Sequence, residues 1–238
     1  MVECLLAKED VASSNLVSRS IFSLRPRLLL RNAALLFPGA PAVSSMDSLR
    51  RFVVVGTSGS GKTTFARRLA AARGITHIEL DALHWEPNWV EAADDVFLTR
   101  VDQATSATAW VVDGNYSKAR PFIWQRADAV CWLDFDFHLV MWRLFSRTVR
   151  RAFSQEELWK GNRESWRMSF MTRDSVLLWG LTTYHRRRRE YQELLRSPES
   201  ARLRVFHLKN PAQAQQFLRD AAAESGGAGN GTSSAGSL

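Results

Sequence analysis

The sequence is poor in cysteine. Cys4 and Cys131 are its only two, too few for a disulfide framework, and Cys131 stands inside the apolar run AVCWLDF, where a free thiol behaves as a small core residue. A reducing cytoplasm is the expected setting. No apolar run is long enough to span a bilayer, so no membrane partner is expected. Acids are scarce over one long stretch. Between Arg143 and Arg204 seven acids face fifteen lysines and arginines, an excess that equals the net charge of the whole chain, +8. In HLVMWRLFSRTVRRAF acids are missing altogether. A concentration of positive charge of this kind predicts a polyanionic partner, nucleotide or nucleic acid.

At 238 residues and 45% hydrophobic content the chain can bury one sizeable core. Both ends are expected to lie outside it. Residues 222–238 (AAESGGAGNGTSSAGSL) are small, polar and nearly uncharged, which predicts a disordered tail. Residues 1–45 combine acids at 3, 9 and 10 with an apolar run broken by Arg31 and Asn32, a poor fit to a targeting peptide. They are expected to be a disordered or misassigned extension before Met46, leaving 46–221 as the working domain.

What the sequence does contain is FVVVGTSGSGKTTFARRLA, residues 52 to 70. Gly56 to Thr63 fits G-x-x-x-x-G-K-[ST] at every fixed position, with an apolar strand before it and an amphipathic helix after it. A chain that leaves a buried strand and turns at once into a helix needs glycine, and the curled loop then points its N–H groups at an anion. Gly56, Ser58, Gly59, Ser60, Gly61, Lys62, Thr63 and Thr64 are the expected ATP cradle. Lys62 supplies charge to the β- and γ-phosphates, Thr63 a hydroxyl for Mg²⁺, and the helix its N-terminal dipole.

From Arg51 the pattern alternates apolar strand and amphipathic helix. Strands are expected at 52–56, 76–81, 109–115, 129–135 and 203–208, and helices from the loop to about Arg73, at 91–106, at 138–153 and at 174–196. The fold class this predicts is α/β: a P-loop NTPase with a five-stranded parallel sheet, helices on both faces and a basic helical lid, like a nucleotide kinase.

Ligands of such sheets gather at the carboxyl ends of the strands, which selects acids there. Asp113, ending WVVD beside the loop, is the natural carboxylate to orient Mg²⁺ with Thr63, or else a turn cap. Asp81 faces a phosphate acceptor, or else caps the following helix. His84 stands open between pocket and core, Trp85 is expected in the pocket, and Trp89, Trp110, Trp132 and Trp142 in the core. Arg143, Arg147 and Arg151 recur every fourth residue, with Arg150 at the margin, and predict a catalytic lid that neutralises a migrating phosphoryl group. Arg163 is expected to join at the acceptor. The run at 186–189 reads as a solvated helix paired with Glu190 and Glu193, with nucleic-acid contact left open.

Together GTSGSGKTTFARRLA, IELDALHWEPNW, WVVDGNYS, RADAVCWLDF and GNRESW resemble the P-loop family of DNA topology modulation proteins, over about residues 51 to 210. That resemblance implies a fold similar to adenylate and other small-molecule kinases, with ATP and Mg²⁺, and its name implies an effect on DNA. DALHWEPN also looks like the D-x-L-H segment of gluconate-type kinases. The expectation is a kinase that moves the γ-phosphoryl of ATP to a small acceptor, first a nucleoside monophosphate. A hydroxylated metabolite, or ATP-dependent action on DNA, is the alternative.

Overall fold

β1 (Arg51–Gly56) is buried on both faces from Phe52 onward, which places it at the centre of a sheet covered from two sides. The structure, a computed structural model, describes residues 46–154, 159–161 and 176–227. After β1 come α1 (Lys62–Arg73), β2 (Thr76–Glu79), α2 (Leu80–His84), a two-stranded hairpin of β3 (Trp85–Glu86) and β4 (Val90–Glu91), and α3 (Asp94–Ala104). The chain continues through β5 (Trp110–Asp113), α4 (Arg120–Arg126), β6 (Ala129–Leu133), α5 (Phe137–Ser154), α6 (Val176–Leu194), β7 (Arg204–Leu208) and α7 (Pro211–Gly227).

The main sheet has the order β2-β5-β1-β6-β7, and every pairing in it is parallel. The chain crosses β1 on its way from β5 to β6, so a crevice opens at the carboxyl end of β1, the switch point where such sheets hold ligands. This is the expected α/β P-loop architecture.

Alternation along β1 separates the two cores. Phe52 and Val54 pack with Phe65 and Leu69 of α1 and Phe217 and Leu218 of α7. Val53 and Val55 pack with Phe97 and Val101 of α3 and Ile123 and Trp124 of α4. Helix α6 touches both, contributing Tyr184 to the first and Tyr191 to the second. Among the described residues no helix is long and apolar enough to cross a membrane.

Three expectations are corrected. Strand two stops at Glu79, and Asp81 lies in the short α2. The cause is Leu80, which turns inward against Gly114 so closely that a Cβ there would lie 2.7 Å from the Leu80 Cβ. Residues 85–91 form the β3–β4 hairpin, which delays the next helix from 91 to Asp94. At the C-terminus α7 runs past Ala221 to Gly227, into the stretch expected to lack structure. Arg163 lies outside the described residues, as do 1–45 and 228–238.

Candidate active site

The loop after β1 has the geometry its glycines predict. Gly59 and Gly61 adopt φ of 82° and 89°, the left-handed region open to glycine, and Gly61 caps α1 without a side-chain hydrogen bond. The amides of the first turn of α1 are therefore presented to a ligand. Residues 58–64 line a cavity of about 930 Å³. Lys62 Nζ donates to the Thr57 carbonyl at 3.1 Å.

Beside this loop, Thr63 Oγ1 donates to Asp113 Oδ2 at 2.6 Å, and His77 Nε2 lies 2.7 Å from Asp113 Oδ1. Asp113 is 2% exposed. A hydroxyl and a carboxylate held together at the first turn of the loop helix are hard oxygen donors, the set Mg²⁺ takes. The site fits that ion, and the open amide cradle fits a triphosphate.

The β2 end of the cavity is acidic. Asp81 lines it and accepts a 2.7 Å hydrogen bond from the Tyr116 hydroxyl. Glu79, which the sequence reading passed over, lines it too. Burial, then the charge of Asp113, push the Glu79 carboxyl above the ordinary carboxylate range, against a hydrogen bond from Trp159 and the nearby His77 and Arg67.

The opposite wall is basic. Arg143, Arg147, Arg150 and Arg151 of α5 all line the cavity. Arg143 Nη1 donates to the Ser60 carbonyl at 3.2 Å, and its guanidinium sits 5.3 Å from the Phe135 ring centroid. The four arginines thus share one cavity with the phosphate loop, and Arg143 contacts the loop itself.

The expectations for Trp85, Trp89 and Trp142 fail, and His84, open between pocket and core, falls to the core. Trp85 is fully buried, and His84 is 3% exposed, ringed by Trp85, Phe97 and Tyr116 at centroid distances of 4.8, 5.1 and 4.7 Å. Neither lines the cavity; both belong to the core. Trp89, expected in the core, is only half-buried, and Trp142, also expected there, is 66% exposed at the cavity rim.

The arginine run at 186–189 is not uniformly solvated. Arg187 is 3% exposed and lines the cavity. Arg188 Nε lies 2.7 Å from Asp134 Oδ1, a contact that lifts the guanidinium above even its usual high range. Glu190, the expected partner of Arg186, pairs instead with Arg120 at 3.7 Å. The signal was there in Tyr184 and Tyr191. At i, i+3, i+4 and i+7 they share a face with Arg187 and Arg188. Tyr184 donates to the Phe135 carbonyl at 2.6 Å, and Tyr191 to Asn115 Oδ1 at 2.7 Å, while Asn115 Nδ2 donates to the Gly56 carbonyl at 2.7 Å. These bonds seat α6 over the strand ends and turn Arg187 inward.

A family model described as an AAA domain matches residues 52–132, from the loop strand to β6. No curated protein matches the chain. Among solved structures, a gluconokinase from Sinorhizobium meliloti 1021 is similar at 22% identity and a TM-score of 0.42, over 75% of this chain and 93% of its own. A sugar kinase from Janibacter sp. HTCC2649 is similar at 20% identity and a TM-score of 0.41, over 74% and 93%. A shikimate kinase from Acinetobacter baumannii is similar at 16% identity and a TM-score of 0.41, over 78% and 98%. Likeness at that level bears on neither activity nor substrate.

Proposed function

We propose that the chain is a phosphotransferase that moves the γ-phosphoryl of ATP to a hydroxyl of a small metabolite. The observation that carries this reading is the convergence, in one cavity, of Lys62 and the loop amides, the arginines of α5 and α6, and the Asp81 carboxylate. The loop and Lys62 hold the triphosphate. Thr63 and Asp113 would hold Mg²⁺, which would offset the negative charge of the triphosphate.

Asp81, oriented by Tyr116, accepts the proton of the acceptor hydroxyl as its oxygen bonds to the γ-phosphorus. The bond from that phosphorus to the β–γ bridging oxygen breaks, ADP leaves, and Asp81 returns its proton to water. Arg143, Arg147, Arg151 and Arg187 neutralise the charge spread over the migrating group, and Arg187, buried at 3% exposure, is the least screened of them.

A neutral acceptor is favoured over a nucleoside monophosphate by Glu79 and Asp81, since two carboxylates repel a phosphate dianion brought between them. The monophosphate remains the second reading because Arg67 and Arg68 also line the cavity. Action on DNA requires an outward basic surface, and Arg186 and Arg189, both exposed, are its candidates. Replacing that pair by alanine separates the readings. Retained phosphoryl transfer supports the small-molecule enzyme, and its loss supports the DNA-associated one.

A further inference from the structure

Trp159 is one of three residues described between 154 and 176, and it lines the same cavity as Glu79 and Asp81. It donates a side-chain hydrogen bond to the Glu79 carboxylate. Its ring meets Trp89 edge-on at 6.3 Å, and Trp89 meets the fully buried Trp85 at 5.8 Å. A row of indoles thus joins the acidic end of the cavity to the core.

The turn carrying Trp159 is fixed at a second point. Lys160 Nζ lies 2.7 Å from Glu86 Oε2, and Arg100 Nη1 lies 2.6 Å from Glu86 Oε1. These partners, Lys160 first, hold the Glu86 carboxyl below its usual range. Arg100 also donates to the Leu83 carbonyl at 2.9 Å, tying the clasp to α2, which carries Asp81.

Backbone strain gathers where the two segments meet. Asn88, Trp89 and Lys160 are the non-glycine residues with positive φ among those described, at 63°, 58° and 53°. Such conformations persist where surrounding contacts fix them, and they collect at ligand sites.

We infer that Trp159 and Glu79 form an acceptor-specificity subsite for a polyhydroxylated, unphosphorylated small molecule. The inference rests on the phosphotransferase reading above and narrows its acceptor. The chemistry is that of a flat apolar ring beside acceptors of several hydroxyl hydrogens. Glu79 and Asp81 supply the carboxylate oxygens, and Trp159 both orients Glu79 through its N–H and offers an indole surface to C–H groups. A site built to bond hydroxyls discriminates strongly against analogues that lack them, because its own buried polar groups are then left unpaired.

The test uses the full chain with saturating Mg-ATP. ADP release is followed against three acceptor sets: sugars and sugar alcohols, their singly deoxygenated analogues, and nucleoside monophosphates. The expected result is saturable transfer to a polyhydroxylated compound. Trp159→Ala then raises that acceptor's KM by roughly tenfold or more and Trp159→Phe by less, while the KM for ATP stays within about twofold. In a Glu79→Ala background Trp159→Phe adds little, since the two residues share one hydrogen bond. The ATP KM also reports that each variant is folded. An acceptor KM unmoved by both Trp159 variants overturns the subsite and leaves the phosphotransferase reading standing. Transfer to nucleoside monophosphates alone overturns the subsite and replaces the hydroxyl acceptor by the second reading, phosphoryl transfer itself remaining. Intact ATP binding with no transfer to any compound overturns both.

Discussion

Thr63 Oγ1 donates a 2.6 Å hydrogen bond to Asp113 Oδ2, a contact that links the first turn of the loop helix to the end of the neighbouring strand. His77 occupies the other oxygen at 2.7 Å. Asp113 is thereby fixed in the orientation in which it can serve an ion at the Thr63 hydroxyl. We predict that Asp113→Asn lowers the rate of ADP release by about 100-fold or more, a loss of roughly 2.7 kcal/mol of transition-state stabilisation. The Mg²⁺ concentration giving half-maximal rate should rise as well. An unchanged Mg²⁺ dependence would remove Asp113 from the ion site.

Asp81 and Tyr116 should separate chemistry from orientation. Asp81→Asn is expected to spare ATP binding and to cut transfer by about 100-fold, within the range for loss of a general base. Tyr116→Phe removes only the 2.7 Å bond that aims the carboxylate and should cost about tenfold or less. Steady-state rates with the acceptor varied, beside equilibrium ATP binding, check both; lost ATP binding in Asp81→Asn would put the acceptor on the wrong side of the cavity.

Within the arginine run, position should outweigh composition. Arg187→Ala is expected to lower kcat by about 100-fold, as for other charge-stabilising groups at phosphoryl transfer. Arg186→Ala and Arg189→Ala, on the exposed side of α6, should stay within about twofold. Asp134→Asn should fall between these, because Arg188 then loses the charge that anchors its turn of helix. Equal losses at all four positions would contradict the inward placement of Arg187.

Glu79 gives a pH test with a definite sign. Its folded-state carboxyl titrates above the ordinary value of 4.5, first through burial and then through Asp113. The folded chain therefore binds that proton more tightly than the unfolded chain does. This contribution favours folding below the unfolded value, and it is lost as pH rises through the window between the unfolded and the raised folded value. Glu79→Gln carries no such charge, so its Tm relative to the parent should rise with pH across that window and level off above it. A difference in Tm that is flat from pH 4 to pH 8 would contradict the shift.

Trp85 and Trp142 should exchange the roles that sequence suggests for them. Trp85→Ala empties a fully buried site and should destabilise the fold by about 3 to 5 kcal/mol. Trp142→Ala, at 66% exposure, should change stability by about 0.5 kcal/mol or less. Chemical denaturation of the two variants decides this.

The fold was legible because its signals are local. The loop glycines, the apolar strands of WVVD and AVCWL and the acids at strand ends each act within a few residues, and they fix sheet, loop and Asp113 together. The misplacements depend on contacts far along the chain. Asp81 leaves its strand because Leu80 packs on Gly114, and His84 sinks because Phe97 and Tyr116, distant in the chain, close around it together with Trp85. Arg187 turns inward because Tyr184 and Tyr191 bond to Phe135 and Asn115. A charge run examined for ion pairs alone does not reveal this, whereas the tyrosine spacing on either side does. Glu79 was passed over for a related reason: as the last residue of a short edge strand it carries no motif, and only the cavity identifies it.

The central claim is phosphoryl transfer to a small acceptor, and its most direct measurement is ADP release from Mg-ATP by the full chain, alone and with each member of the acceptor panel. The account predicts slow release alone and a rise of at least about 100-fold with one hydroxylated acceptor, abolished by Lys62→Ala. Release that no acceptor stimulates, or that persists unchanged in Lys62→Ala, would contradict it.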